Sequence, residues 1–218
     1  MQITDIKQPF DSAQGDRKKK ITDIRAQVKR VDRYSIYVDG KYAFPLGETE
    51  LLHIGLRIGQ EFTETELDDL KDRAVIDKGY DRALNLIMRR PRSEWELRDY
   101  LKRKEYSKEA VDQIINMLSK RGYVDDADFA SRWVENRRLL KATSKRRLTQ
   151  ELKQKRVSGE IIQSVLEADE TDEQQVLREL IERKRKQTKY KDDIKLMQYL
   201  VRQGYNYGDI KSVLSDEN

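Results

Sequence analysis

Ten basic side chains crowd the segment from Arg132 to Arg156, and they are the residues of this chain best placed to meet an anion. Arg132, Arg137, Arg138, Lys141, Lys145, Arg146, Arg147, Lys153, Lys155 and Arg156 face only Glu135 and Glu151. The window carries +8; taken from a whole-chain charge of +5, this leaves −3 for the rest. Lysines and arginines grouped this way neutralise phosphates and release counterions; the plainer reading is a solvated helix face. With Leu148 facing inward, steps of 100° put Arg146, Gln150 and Lys153 on the opposite side of a helix. All of the ten but Lys145, with Arg98 and Lys102 one segment earlier, make the candidate set for partner or DNA binding.

Other chemistry is sparse. His53, the single histidine, has no acid or nucleophile in sequence reach. Asp125-Asp126-Ala127-Asp128 resembles a cation loop but lacks the glycine and terminal glutamate of an EF-hand, and it reads as a helix cap. The chain has no cysteine, so it has no disulfide, no thiolate nucleophile and no cysteine-type zinc site. Neither a Walker phosphate loop nor a dinucleotide fingerprint is present. The expectation is a protein that is not an enzyme, uses no cofactor and binds no metal.

The elements that must position the basic residues show as an internal repeat. Leu97, Leu101, Tyr106, Val111 and Ile115 share their spacing with Leu148, Leu152, Val157, Ile162 and Leu166, and again with Leu196, Leu200, Tyr205, Ile210 and Leu214. A step of four keeps two side chains on one helical face, whereas two successive steps of five make the helix stop and restart. Another apolar helical stretch precedes each skeleton: Ala83-Leu84-Ile87, Phe129-Ala130-Trp133 and Val176-Leu177-Leu180-Ile181. The fold class expected is mainly α, with three tandem three-helix units over 77–121, 122–168 and 169–218 forming an elongated, curved molecule. Capping boxes are expected at Ser93 with Glu96 and at Thr171 with Gln174. Gly204 suits a left-handed corner, while Glu105 and Arg156 at the equivalent positions point to looser or differently wound corners. Tyr106, Tyr123 and Tyr205 are placed to seal corners with their hydroxyls in water. Trp133 is assigned to the core, and Trp95, matched by Ile194 two units later, to packing against a neighbouring helix.

Before the repeats the period changes to two. Ile24, Ala26 and Val28, then Tyr34, Ile36 and Val38, then Tyr42, Phe44 and Leu46 alternate with polar residues, and Asp39-Gly40 forms a hairpin turn. A small antiparallel β element with short helices is expected over 21–76, including a helix from Glu48 to Leu56 stopped near Gly55 or Gly59 and another opened by Thr63-Glu64-Thr65-Glu66 and running toward Ile76. Residues 1–20, with the run Arg17-Lys18-Lys19-Lys20, read as a disordered tail. No apolar run reaches the roughly 18 residues of a membrane span, so a cytoplasmic monomer without membrane contact is expected.

Arg92-Ser93-Glu94 with Glu96-Leu97 and Leu101, then Arg121-Gly122-Tyr123-Val124-Asp125-Asp126 running into Phe129-Ala130, then Arg147-Leu148 with Glu151-Leu152 and Lys155, resemble the RecX family of recombination regulators over about residues 78–218. The segment from Gly122 to Ala130 is the most specific part. The resemblance implies a non-enzymatic protein that binds RecA and its filament on single-stranded DNA, along the groove or at an end. It would inhibit ATP hydrolysis and strand exchange, and so act on recombination, DNA repair and the SOS response. The alternative from the residues alone is an autonomous protein binding single- or double-stranded DNA through helix-turn-helix-like units. Tandem helical units by themselves imply only an extended binding surface.

Overall fold

The computed structural model describes residues 18–216, which divide into two compact units: 18–82 with 107–114, and 83–106 with 115–216. Most of the expected tail and its Arg17 lie outside the described residues. Lys19 and Lys20, read above as part of that tail, instead open the first strand.

The first unit is built on a four-stranded antiparallel sheet in the order β3-β2-β1-β4, with strands β1 (Lys19–Gln27), β2 (Arg30–Val38), β3 (Lys41–Gly47) and β4 (Glu61–Phe62). Asp39 and Gly40 have φ of 48° and 77°, the paired left-handed turn that matches strand twist. Ile21, Ile36, Phe44 and Leu46 form a core with Leu67, Leu70 and Ala74. Helix α1 (Glu48–Ile54) stops at Gly55, whose φ is 68°. Helix α2 (Glu64–Ile87) opens with the Thr63/Glu66 capping box and continues as one helix past Ile76 into the stretch read as a separate element. One interior glycine, Gly79, costs about 1 kcal/mol, too little to break it. Arg33 is buried between Asp77 and Asp81, and the Asp77 carboxylate also accepts the Gly47 N–H at 2.9 Å.

The repeats follow as α3 (Glu94–Arg103) and α4 (Lys108–Lys120); α5 (Asp126–Lys141), α6 (Lys145–Gln154) and α7 (Gly159–Glu167); and α8 (Glu173–Arg185), α9 (Asp193–Arg202) and α10 (Tyr207–Asp216). The end of α2 supplies the leading helix of the first repeat. Every skeleton position is buried except Tyr106 and Leu166, which are half-buried. The three corners have one geometry. The N–H groups of Tyr106, Val157 and Tyr205 reach back to the carbonyls of Leu101, Leu152 and Leu200, and those of Glu105, Arg156 and Gly204 to Lys102, Lys153 and Val201. This is the Schellman pattern, in which the residue at the turn is left-handed. Glu105 and Arg156 take it at φ 63° and 59° without glycine, so the corners are neither looser nor differently wound: the two hydrogen bonds and the packing of the residue after the turn, Tyr106 half-buried and Val157 buried, offset a cost of about 1–2 kcal/mol.

Ser93, Ser107 and Ser158 cap α3, α4 and α7, and Asp125 caps α5. At α8 the cap is Asp172, not the Thr171/Gln174 box. Asp172 accepts from Gln174 and Gln175 N–H, and Thr171 turns its hydroxyl to Asp169.

In the second unit one joint is used twice. The buried Ser93 hydroxyl accepts the Glu96 N–H at 3.3 Å and donates to the Lys155 carbonyl at 2.9 Å. Ser144 does the same for Arg147 at 3.2 Å and for the Gln203 carbonyl at 2.9 Å. The cap of each repeat's second helix thus binds the C-cap of the corresponding helix in the next repeat, which sets successive repeats in register. Gly204 is needed at the second joint for a further reason: a Cβ there would lie 2.5 Å from Ser144 Oγ. Tyr205 is buried, and its hydroxyl donates to the Ala142 carbonyl at 2.9 Å rather than to water.

Candidate nucleic-acid and partner interface

Helix α6 sorts its side chains as its sequence requires: Leu148 and Leu152 are buried, while Arg146, Gln150 and Lys153 are exposed. Lys102 on α3, Lys141 at the end of α5 and Arg156 at the corner are also exposed. Lys145 reaches the Asp169 carbonyl at 3.4 Å, and the other cations are held by carboxylates. Arg98 pairs with Glu94 at 2.6 Å and Arg132 with Asp128 at 2.9 Å, both on exposed helix surface, where such pairs contribute only about 0.3–0.5 kcal/mol. Arg138 lies inside, 9% exposed, against Asp169 at 2.7 Å and the Thr143 carbonyl at 2.6 Å. Arg137 and Arg147 share Glu151, at 2.7 and 3.4 Å, and Arg147 also donates to the Arg202 carbonyl. Lys155 reaches Glu96 at 2.7 Å, beside Arg90 at 3.0 Å. Burial pushes the Glu96 carboxyl up, but hydrogen bonds and charge from Arg90 and Lys155 outweigh it and bring the group down to about 2. Glu151 is likewise held below the usual carboxylate range: burial opposes ionisation, and the Arg137 and Trp133 hydrogen bonds overcome it.

Trp133 is half-buried rather than wholly core. It packs on Phe129 with ring centroids 5.7 Å apart, and its Nε1 donates to Glu151 at 2.9 Å. The Arg137 guanidinium lies 4.5 Å from the ring centroid, within cation–π range. Two clefts meet at this pair. One, of about 220 Å³, is lined by Arg90, Pro91, Phe129, Arg132, Trp133, Asn136 and Arg137. The other, of about 290 Å³, runs from Trp133 and Arg137 to Arg147, Gln150 and Lys155. Arg90, Pro91 and Asn136 escape a reading that follows the basic residues of the window alone; the run Arg89-Arg90-Pro91-Arg92 is a signal in the sequence for the first two, and Asn136 has none.

Trp95 and Ile194 are 42% and 69% exposed, because both lie two residues before a core leucine and so turn about 200° away from it. In the third repeat Ile194, Met197, Val201 and Tyr207 line an apolar groove of about 460 Å³ at the place where α6 presents Arg146 and Lys153. Among the described residues there is no group of carboxylates and histidines able to hold a metal, and no helix is long and apolar enough to cross a membrane.

Stacked three-helix repeats that turn equivalent faces outward, basic in the middle repeat and apolar in the last, define the class of tandem-repeat proteins. Family models match nearly the whole described chain: the regulatory protein RecX N-terminal domain over residues 19–63, and the first, second and third RecX three-helix domains over 80–118, 125–166 and 170–214. The regulatory protein RecX of Listeria welshimeri is 34% identical over 195 residues, covering 86% of this chain and 71% of that protein. That of Bacillus licheniformis is 30% identical over 201 residues, covering 90% and 76%. A crystal structure of regulatory protein RecX superposes with a TM-score of 0.69 at 27% identity, over 90% of this chain and 99% of the other. The chain belongs to the RecX family.

Proposed function

We propose that this protein regulates RecA by binding its filament on single-stranded DNA and lowering ATP hydrolysis and strand exchange, without turning over nucleotide itself. The observation that carries the reading is the twice-used serine joint, which sets equivalent faces of successive repeats in register. A polymer of identical protomers offers contacts at regular intervals, and a chain of registered repeats can engage several of them without the full entropy cost of separate associations. This favours binding along the filament groove over capping its end. In this reading the exposed cations Lys102, Lys141, Arg146, Lys153 and Arg156 face DNA phosphates or an acidic groove wall, and Arg138 and Arg147 hold the repeats that present them. Its place of action is the cytoplasm, in control of recombination, DNA repair and the SOS response. The test is RecA ATPase on single-stranded DNA with increasing amounts of this protein. The expected result is progressive inhibition with no intrinsic ATPase; unchanged RecA rates at saturation would overturn the reading.

A further inference from the structure

We infer that the cleft beside Trp133 is a nucleobase pocket, taking one unstacked base of a single-stranded nucleic acid while the flanking arginines hold its phosphates. Pro91, Phe129 and Trp133 make its apolar walls, and Arg90, Arg132 and Arg137 its charged ones, with no carboxylate among the lining residues. Its volume of about 220 Å³ is below the roughly 300–1,000 Å³ typical of pockets for whole small-molecule ligands; one planar ring system fits it better than a complete nucleotide. Every base has a π-face, so stacking on an aromatic wall needs no sequence preference.

The wall is fixed before any ligand arrives. Glu151 holds Trp133 Nε1 at 2.9 Å and Arg137 at 2.7 Å, so indole and guanidinium stand as one braced surface. Arg132, on the rim, is tied only to Asp128 by an exposed pair one helical turn away, and it is free to exchange that carboxylate for a phosphate at little cost. Asn136 is exposed and lines the cleft, where its amide can meet a base edge. Each arginine is paired outside the cleft, Arg90 with Glu96, Arg132 with Asp128 and Arg137 with Glu151, but no carboxylate lines the cleft itself, which favours a polyanion over the aromatic side chain of a protein partner.

The inference deepens the proposed function but is tested without RecA, so either can fail alone. Trp95→Phe leaves Trp133 as the single indole, and its fluorescence is followed on titration with oligothymidylate and with an abasic strand of equal length. Both strands carry the same phosphates, so the slope of log affinity against log salt should match. The base-bearing strand should quench Trp133 and bind at least about fivefold tighter, the lower end expected for one stacked base. Asn136→Phe, at an exposed position, should fill the cleft and bring the two affinities together with the helical fold intact. Equal affinity and quenching by the two strands would overturn the inference and leave a phosphate surface or a protein partner as the alternatives. Equal quenching by duplex DNA or by a free mononucleotide would also overturn it.

Discussion

Arg138 and Arg146 have the same charge and sit eight residues apart, yet they do opposite work. Arg138, paired with Asp169 in the interior, cannot be truncated without leaving a buried carboxylate uncompensated. Arg138→Ala should therefore cost about 3–5 kcal/mol in chemical denaturation, while Arg146→Ala should stay within about 0.5 kcal/mol. Glu96 gives a prediction in pH. Its folded-state pKa of about 2 lies below the ordinary value of 4.5, so its stabilisation is present above the ordinary value and is lost as pH falls from there toward 2. Glu96→Gln should flatten that part of the acid limb of a stability–pH curve. An unchanged limb would show that the Lys155 and Arg90 pairs contribute nothing to the joint.

At the scale of the element, the corners decide more than the helices. Gly122 and Gly204 both have positive φ, 73° and 91°, but a Cβ at Gly122 meets nothing within 4 Å whereas one at Gly204 meets Ser144 Oγ and the Arg147 backbone. Gly122→Ala should cost about 1–2 kcal/mol from backbone strain alone. Gly204→Ala should cost more, because the second joint must also open. Equal losses for the two in thermal unfolding would show that the joint yields freely. Leu152→Ala, at a fully buried skeleton position, should remove about 2–5 kcal/mol.

Across the whole molecule, equivalent faces of the repeats carry different chemistry, so binding should divide by repeat. Arg146→Glu with Lys153→Glu changes two exposed cations and leaves the Arg147 bond to the Arg202 carbonyl in place. If both meet single-stranded phosphates, the slope of log affinity against log salt should fall by about 1.4, at roughly 0.7 for each. The circular dichroism spectrum should not change. An unaltered slope would assign this face to solvent and move the binding surface to another repeat.

The apolar skeleton was legible in the sequence because helical periodicity is local: burying Leu97, Leu148 and Leu196 requires only that each helix turn one face inward. The β element, its Asp39-Gly40 turn and the cap at Ser93 follow for the same reason, since turn and cap chemistry act within a few residues. What a basic residue does is not local. Arg138 and Arg146 have equal standing in a charge count, and only the position of Asp169, brought close by the path of the chain after α7, takes one of them inside. The half-burial of Trp133 likewise depends on what arrives opposite it, here Glu151 of α6. The serine joints belong wholly to the tertiary structure: each hydroxyl finds a carbonyl about sixty residues away, a pairing that no spacing within a repeat encodes.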